Sequence, residues 1–118
     1  LSIITYGMGV HWAKKAIKEK NISADILDLR TLLPLDKESI FQSVKKTNKV
    51  LVLHEDCLTG GIGGEISSLI SENCFESLDA PVTRCASLDT PVPFASDLED
   101  QFLANKNLNE KIDYLLNY

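Results

Sequence analysis

The sequence lacks any apolar run that approaches the roughly 20 residues needed to cross a bilayer, and no signal peptide is visible. It is also poor in basic residues, with 12 lysines and arginines against 17 acidic residues and a net charge of −5. Nucleic-acid binding depends on clustered basic side chains, so this balance argues against it. We therefore expect a cytoplasmic protein without a membrane or nucleic-acid partner.

Cysteine and histidine are scarce as well, with three and two residues respectively. The spacing of Cys57, Cys74 and Cys85 matches no zinc pattern, and two histidines are too few for a histidine-rich metal site. Cys74 and Cys85 lie in apolar stretches and are expected to be reduced core residues. Cys57 falls in a polar turn and is the one thiol worth testing for reactivity. No nucleophile elbow or triad is recognisable, so we predict no catalytic residue and no metal site.

What the sequence does contain is an alternation of strand and helix patterns. Short β-branched or apolar runs predict strands at 2–6, 24–29 and 82–86, and a further strand that begins at 50 and has His54 and Glu55 at its carboxyl end. Amphipathic spacing predicts helices at 10–19, 36–46, 64–75 and 108–116. Asn21 and Asp36 are suited to end the first helix and begin the second. Such alternation predicts a mainly parallel sheet with helices on both faces, a three-layer α/β/α domain over residues 1–118.

The segment 50–66 is the most informative part of the chain. An apolar run ends in polar residues, four glycines follow within positions 60–64, and a helical pattern then begins. Ligands of open α/β sheets gather beyond the carboxyl ends of strands, and the first amides of a helix can hold an anion. A tight turn that packs the helix on the sheet is the simpler interpretation, because no complete dinucleotide or phosphate-loop motif is present.

Two groups of polar residues could carry chemistry. His54 and Glu55 could form an acid–base pair only if the strand ends at His54, because adjacent strand residues point to opposite faces. Otherwise His54 is a structural or partner-contacting residue. Asp97, Glu99 and Asp100 form an acidic cluster that we place in a loop after the prolines at 91 and 93. The spacing of the cluster matches no calcium loop, which favours a solvated or partner-facing patch.

Five segments occur in an order that resembles a known family: Thr5–Gly7, Asp28–Asp36, His54–Gly61, Leu78–Val82 and Asp89–Phe94. Together they resemble the C-terminal domain of the beta subunit of thiamine-diphosphate-dependent 2-oxo acid dehydrogenases, a domain of the transketolase C-terminal type. The resemblance covers essentially the whole chain. The His-Glu pair followed by Leu-Thr-Gly-Gly is similar to the branched-chain (2-oxoisovalerate) class more than to the pyruvate class.

The resemblance implies four strands in the order 2-1-3-4, without an antiparallel edge strand that the family carries upstream of Leu1. It implies a fragment of an enzyme that oxidatively decarboxylates 2-oxo acids and acylates lipoyl groups. Thiamine diphosphate and magnesium would be bound by domains absent here, so the fragment is expected to be inactive and to bind neither. The implied partners are an alpha subunit or alpha-type domain, a second beta subunit and the lipoyl transacylase core.

Within such an assembly and docking domain, the candidate residues fall into two groups. The candidate crevice or interface comprises Gly7, His54, Glu55, Thr59, Gly60, Gly61 and Gly63. The candidate docking residues are Asp97, Glu99, Asp100 and Tyr118. Two alternatives remain open: the same domain of a pyruvate-type dehydrogenase or a transketolase, and a small-anion-binding regulatory module that uses the glycine-rich turn.

Overall fold

Apolar, β-branched segments form the strands, and the amphipathic segments between them form the helices. The structure is a computed structural model that describes residues 1–118. The strands are β1 (Ser2–Thr5), β2 (Asp25–Asp28), β3 (Val50–Cys57) and β4 (Thr83–Ser87). The helices are α1 (Met8–Lys20), α2 (Lys37–Thr47), α3 (Ile62–Cys74, followed by a 3-10 turn at Phe75–Ser77), α4 (Ser96–Phe102) and α5 (Asn105–Asn117). None of the helices combines the length and apolarity needed to cross a membrane.

All four strands are parallel and lie in the order β2-β1-β3-β4, which confirms the expected topology. Each face of the sheet has its own hydrophobic cluster. Leu51 and Leu53 of β3 join a cluster built with α1 and α5, and Val50 and Val52 join one built with α2 and α3. Alternate side chains of a strand point to opposite faces, so the nearly continuous apolar run of β3 supplies both clusters.

Local signals at the helix ends act as expected. Asn21 ends α1 in the left-handed conformation, and its amide bonds the carbonyl oxygens of Ile17 and Lys18. The Asp36 carboxylate accepts a hydrogen bond of 3.0 Å from the amide of Ser39 and begins α2. The segment between β4 and α4 contains no helix or strand, as its two prolines predict.

Two expectations were wrong. Cys57 does not lie in a turn but ends strand β3, because pairing with β4 resumes at Cys57 and Ser87 after an irregularity. Asp97, Glu99 and Asp100 lie on helix α4 and not in a loop. Asp97 and Glu99 occupy the first turn of α4, where negative charge interacts favourably with the unpaired amides of a helix start.

Candidate functional site

The connections that follow β1 and β3 leave the sheet toward opposite faces. Helix α1 packs on one face and α3 on the other, although β1 and β3 are neighbours. This arrangement opens a crevice beyond the carboxyl ends of the two strands, where ligands of α/β proteins commonly bind. The structure brings Gly7 and Glu55 together there, since a Cβ on Gly7 would lie 3.8 Å from Glu55 Oε2. Gly7 has a φ of +56°, which lets the chain turn directly from β1 into α1.

The mouth of this crevice is acidic. Glu55 and Asp56 are exposed on the last part of β3. Partial burial raises the pKa of Tyr6, and the negative charges of Asp56 and Glu55 raise it further. An edge with two exposed carboxylates favours a cationic or hydrogen-bond-donating partner over an anion.

The acid–base pair of His54 and Glu55 does not form. Because β3 continues to Cys57, Glu55 points outward and the His54 side chain is completely buried. Neither ring nitrogen of His54 makes a hydrogen bond of good geometry, although the backbone of Asp56 lies near the ring. Burial lowers the pKa of His54, and the negative charge of Asp56 opposes that shift while Arg84 adds to it. His54 is thus a neutral imidazole inside the fold, with no access to a reactant.

Two glycines at the start of α3 make room for this imidazole. A Cβ on Gly61 would lie 2.7 Å from His54 Cε1, and one on Gly63 would lie 2.7 Å from His54 Cδ2. Both distances are far shorter than a carbon–carbon contact allows. A Cβ on Gly60 would have no atom within 4 Å, but Gly60 adopts a φ of +79° and so permits the turn itself. The glycines therefore serve helix packing, which supports the simpler interpretation of the turn.

Thr59 is held by a residue 30 positions away. Its amide donates to Asp89 Oδ1 at 2.8 Å and its hydroxyl donates to Asp89 Oδ2 at 2.7 Å. These hydrogen bonds lower the pKa of the Asp89 carboxyl. The amide of Gly64 donates to the carbonyl of Gly61. A carboxylate of the chain itself therefore occupies the donors of Thr59, which weakens the hypothesis of a small-anion site at this turn.

Residues 1–107 match the sequence model of the transketolase C-terminal domain family. The chain belongs to the transketolase C-terminal domain family. A split-gene transketolase, solved as an inactive beta4 tetramer, has a TM-score of 0.78 with this domain. The match covers 98% of this chain and 38% of that chain. Because the sequence identity is only 22%, the match shows a shared fold and nothing further.

Several relatives of this transketolase C-terminal domain are dehydrogenase subunits. The 2-oxoisovalerate dehydrogenase subunit beta of Bacillus subtilis is 44% identical over 109 residues, which cover 89% of this chain and 33% of the relative. The corresponding subunit of Pseudomonas aeruginosa is 45% identical over 97 residues, or 82% of this chain and 28% of the relative. The mitochondrial pyruvate dehydrogenase E1 component subunit beta of Dictyostelium discoideum is 44% identical over 88 residues, 75% of this chain and 25% of the relative. The domain thus spans about a third or less of the length of these relatives.

The candidate docking residues of the domain do not form one patch. The three acidic residues are exposed on α4, which precedes α5. Tyr118 follows the opposite end of α5, where its ring lies 5.8 Å from that of Tyr114 in an edge-to-face arrangement. A helix of 13 residues is about 20 Å long. The two parts of the predicted docking site therefore lie at opposite ends of this helix.

Two residues that support the turn between β3 and α3 were not identified from the sequence. Asp89 was given no part in this turn, but its carboxylate anchors Thr59. Arg84 went unnoticed, although its Nη1 donates to the carbonyl of Leu58 at 3.0 Å. Asp89 belongs to one of the five recurring segments, and Arg84 is a lone charge in a strand. Those two signals could have drawn attention to them.

The cysteines of the domain behave as structural residues. Cys74 and Cys85 are buried and free, as expected. Burial raises the pKa of both, that of Cys85 to about 11. Cys57 is half-buried at the end of β3, with its Sγ 4.0 Å from the carbonyl oxygen of Thr90. No three residues among the histidines, cysteines, aspartates and glutamates lie close enough together to hold a metal ion.

Proposed function

We propose that this chain is the C-terminal assembly domain of the beta subunit of a branched-chain 2-oxo acid dehydrogenase, in the component that decarboxylates the oxo acid and acylates lipoyl groups. One observation carries the proposal. Two 2-oxoisovalerate dehydrogenase beta subunits are 44% and 45% identical to this chain over aligned regions that cover 89% and 82% of it. The similarity to the Dictyostelium pyruvate enzyme is equally high in identity but covers less of the chain, 75%.

The residues of this chain do not fit thiamine diphosphate. A diphosphate requires cations or free amides, and the crevice between β1 and β3 presents the carboxylates of Glu55 and Asp56 instead. Thr59, beside it, is already bonded to Asp89. We therefore expect the isolated chain to be inactive and to bind neither the cofactor nor its magnesium. Isothermal titration calorimetry of the chain with thiamine diphosphate and magnesium tests this, and micromolar binding would contradict it.

A chimera tests the assembly role. This chain replaces the matching third of the Bacillus subtilis 2-oxoisovalerate dehydrogenase subunit beta, and the chimera is co-expressed with a tagged alpha subunit. We expect the alpha subunit to retain the chimera, and the pair to decarboxylate 2-oxoisovalerate. The matched control places the same chain in the Dictyostelium pyruvate dehydrogenase subunit beta, where we expect weaker assembly.

The two chimeras distinguish the possible outcomes. Assembly only in the pyruvate background would contradict the branched-chain assignment and leave the assembly role intact. Folded chimeras that assemble in neither background would contradict the assembly role itself. Circular dichroism of each chimera shows whether it has folded.

The acidic residues on α4 provide the proposed contact with the lipoyl transacylase core. Exposed charges act mainly on the association rate and are screened by salt. We expect the combined neutralisation of Asp97, Glu99 and Asp100 to slow association of the chimeric enzyme with the core at low salt. Neutralisation of Glu38, Glu65 and Glu72, which are exposed elsewhere, should leave that rate unchanged. Equal rates for the two triple variants would exclude α4 as the contact. Tyr118→Ala tests the other end of α5 in the same assay.

A further inference from the structure

Strand β4 forms an open edge of the sheet, because β3 is the strand paired with it. Alternate residues of an edge strand direct their backbone amides and carbonyls away from the sheet, where another strand can pair with them. Helix α3 packs on one face of the sheet and α5 on the other, and both helices contact β4. The edge therefore lies at the bottom of a groove between two helices. We call this groove the β4 trough.

Three cavities lie along the trough, and the second and third share part of their lining. The largest has a volume of about 740 Å³ and lies beside Pro81 and Val82, just before β4, with Tyr118 on its wall. The second measures about 350 Å³, lies beside Thr83, and has Tyr114 on its wall. The third, of about 250 Å³, continues past the end of β4. The contact between the rings of Tyr114 and Tyr118 joins the walls of the first two cavities.

Two half-buried cations lie where the second and third cavities meet. Arg84 and Lys111 border both of these cavities. Neither forms an ion pair, although four ion pairs exist elsewhere in the chain. Arg84 donates one hydrogen bond, to the carbonyl of Leu58, and a guanidinium can donate five. Glu110 is exposed beside them, and Asp89 is already bonded to Thr59. The junction of the second and third cavities thus offers positive charge to a ligand, whereas the first cavity is bordered by the carboxylates of Glu76 and Asp79.

We propose that the β4 trough binds an extended segment of a partner protein that adds to β4 as a fifth strand. An acidic side chain of this segment pairs with Arg84 and Lys111, and an apolar side chain enters the large cavity beside Tyr118. Val82 and Arg84 are two positions apart and point to the same face, so the acidic and apolar residues of the segment are also two positions apart. Backbone pairing supplies affinity, and the two side-chain sites supply specificity.

A second copy of the chain is a poorer occupant of the trough. Two copies joined through β4 would be related by a two-fold axis and would present identical surfaces to each other. Two arginines and two lysines would then meet in one narrow strip, and like charges across paired strands are destabilising. An acidic segment removes this repulsion.

A designed peptide tests the proposal on the 118-residue chain. The probe is a capped, fluorescein-labelled peptide of seven residues that alternates valine and threonine, with one glutamate and a phenylalanine two positions from it. We expect saturable binding by fluorescence anisotropy at low salt. Lys111→Gln and Arg84→Gln should each weaken binding by about tenfold, the scale of a charge-assisted hydrogen bond. Lys106→Gln, an exposed lysine of the same helix outside the trough, should have no effect.

Two altered peptides complete the test. A peptide with lysine in place of glutamate should bind about tenfold more weakly. A peptide methylated on alternate amide nitrogens should lose binding when the methyl groups replace the amides that pair with β4, and keep it when they replace the others.

Three results would overturn the proposal. They are no binding of the unmodified peptide at millimolar concentration, equal effects of Lys111→Gln and Lys106→Gln, and sedimentation of the chain as a dimer that excludes the peptide. Lys111 is half-buried on α5 and is not needed for the core, so its variant keeps the test valid if Arg84→Gln fails to fold. The peptide assay requires no alpha subunit, so its failure is separate from that of the proposed enzyme assembly.

Discussion

A methyl group added at Gly63 should expose the steric role of the glycine-rich turn. In Gly63→Ala the new Cβ would overlap the buried ring of His54, with Nε2 and Cδ2 as the nearest atoms. The ring is fully buried between α3 and β3, and the backbone of α3 is anchored by Ile66 and Ile70 in the core. Neither side can move away without disturbing its packing.

The expected magnitude combines two opposing effects. Alanine is favoured over glycine inside a helix by about 1 kcal/mol. Overpacking of a filled core costs about 1–3 kcal/mol. Gly64→Ala provides the matched control, because its Cβ would meet only the end of the Arg84 side chain at 3.6 Å. Gly64→Ala should therefore be neutral or stabilising, and Gly63→Ala should be less stable than this control by about 1–3 kcal/mol.

Urea unfolding followed by circular dichroism measures this difference. For a chain of this length, 1 kcal/mol corresponds to a change of roughly 4 °C in melting temperature. A double-mutant cycle with His54→Ala identifies the cause, since removal of the ring should abolish the difference between the two alanine variants. Equal stability of Gly63→Ala and Gly64→Ala would refute the steric explanation. A difference that persists without the ring would place the overlap elsewhere.

Three further predictions concern buried groups. Burial lowers the pKa of His54. The free energy of unfolding should therefore be at its full value above the unfolded-state pKa of about 6.5 and should decrease as the pH falls below it, by at most about 1.4 kcal/mol per pH unit. Urea unfolding of His54→Leu should show a shallower pH dependence. Ser2→Ala removes hydrogen bonds of 2.7 Å to two hydroxyl groups of α2 and should cost about 1–2 kcal/mol in the free energy of unfolding, whereas exposed Ser68→Ala should change it by less than about 0.5 kcal/mol. Iodoacetamide should modify half-buried Cys57 in the folded chain and the two buried cysteines only in urea, as mass spectrometry of the modified peptides will show.

For each of these predictions, one result would contradict it. Parallel pH profiles for the wild type and His54→Leu would mean that the imidazole binds its proton equally well in the folded and the unfolded chain. Equal stability of the two serine variants would mean that the hydroxyl network adds nothing to the packing of α2 on β1. Modification of all three cysteines at one rate would show that the cores open faster than the reagent reacts.

Features set by neighbouring residues could be predicted from the sequence. Asn21 and Asp36 mark helix ends through bonds to residues within four positions. The apolar run of β3 identifies a strand buried on both faces. The strand order, in contrast, came from the family resemblance, because periodicity alone does not specify which strands are neighbours.

Features that depend on distant residues could not be predicted in this way. The end of β3 is polar and resembles a turn, and it remains a strand because Cys57 pairs with Ser87. Thr59 was placed in a candidate ligand site, but Asp89 fills its hydrogen bonds from 30 positions away. The error at α4 was different. The acidic residues at 97–100 carried a local helix-start signal, and the preceding prolines were given too much weight.

The division of the core into two clusters also determines when each face of the sheet can close during synthesis. The cluster with α2 and α3 draws its members from positions 4 to 82. The cluster on the other face needs Leu108, Ile112 and Leu115 of α5. Since the ribosome delivers the chain from its N-terminus, one face can be completed while the face that holds Leu51 and Leu53 is covered by α1 but not yet by α5. While about the last thirty residues of the fold are synthesised, the nascent domain therefore exposes apolar surface on one face of its sheet, and chaperones bind such surface.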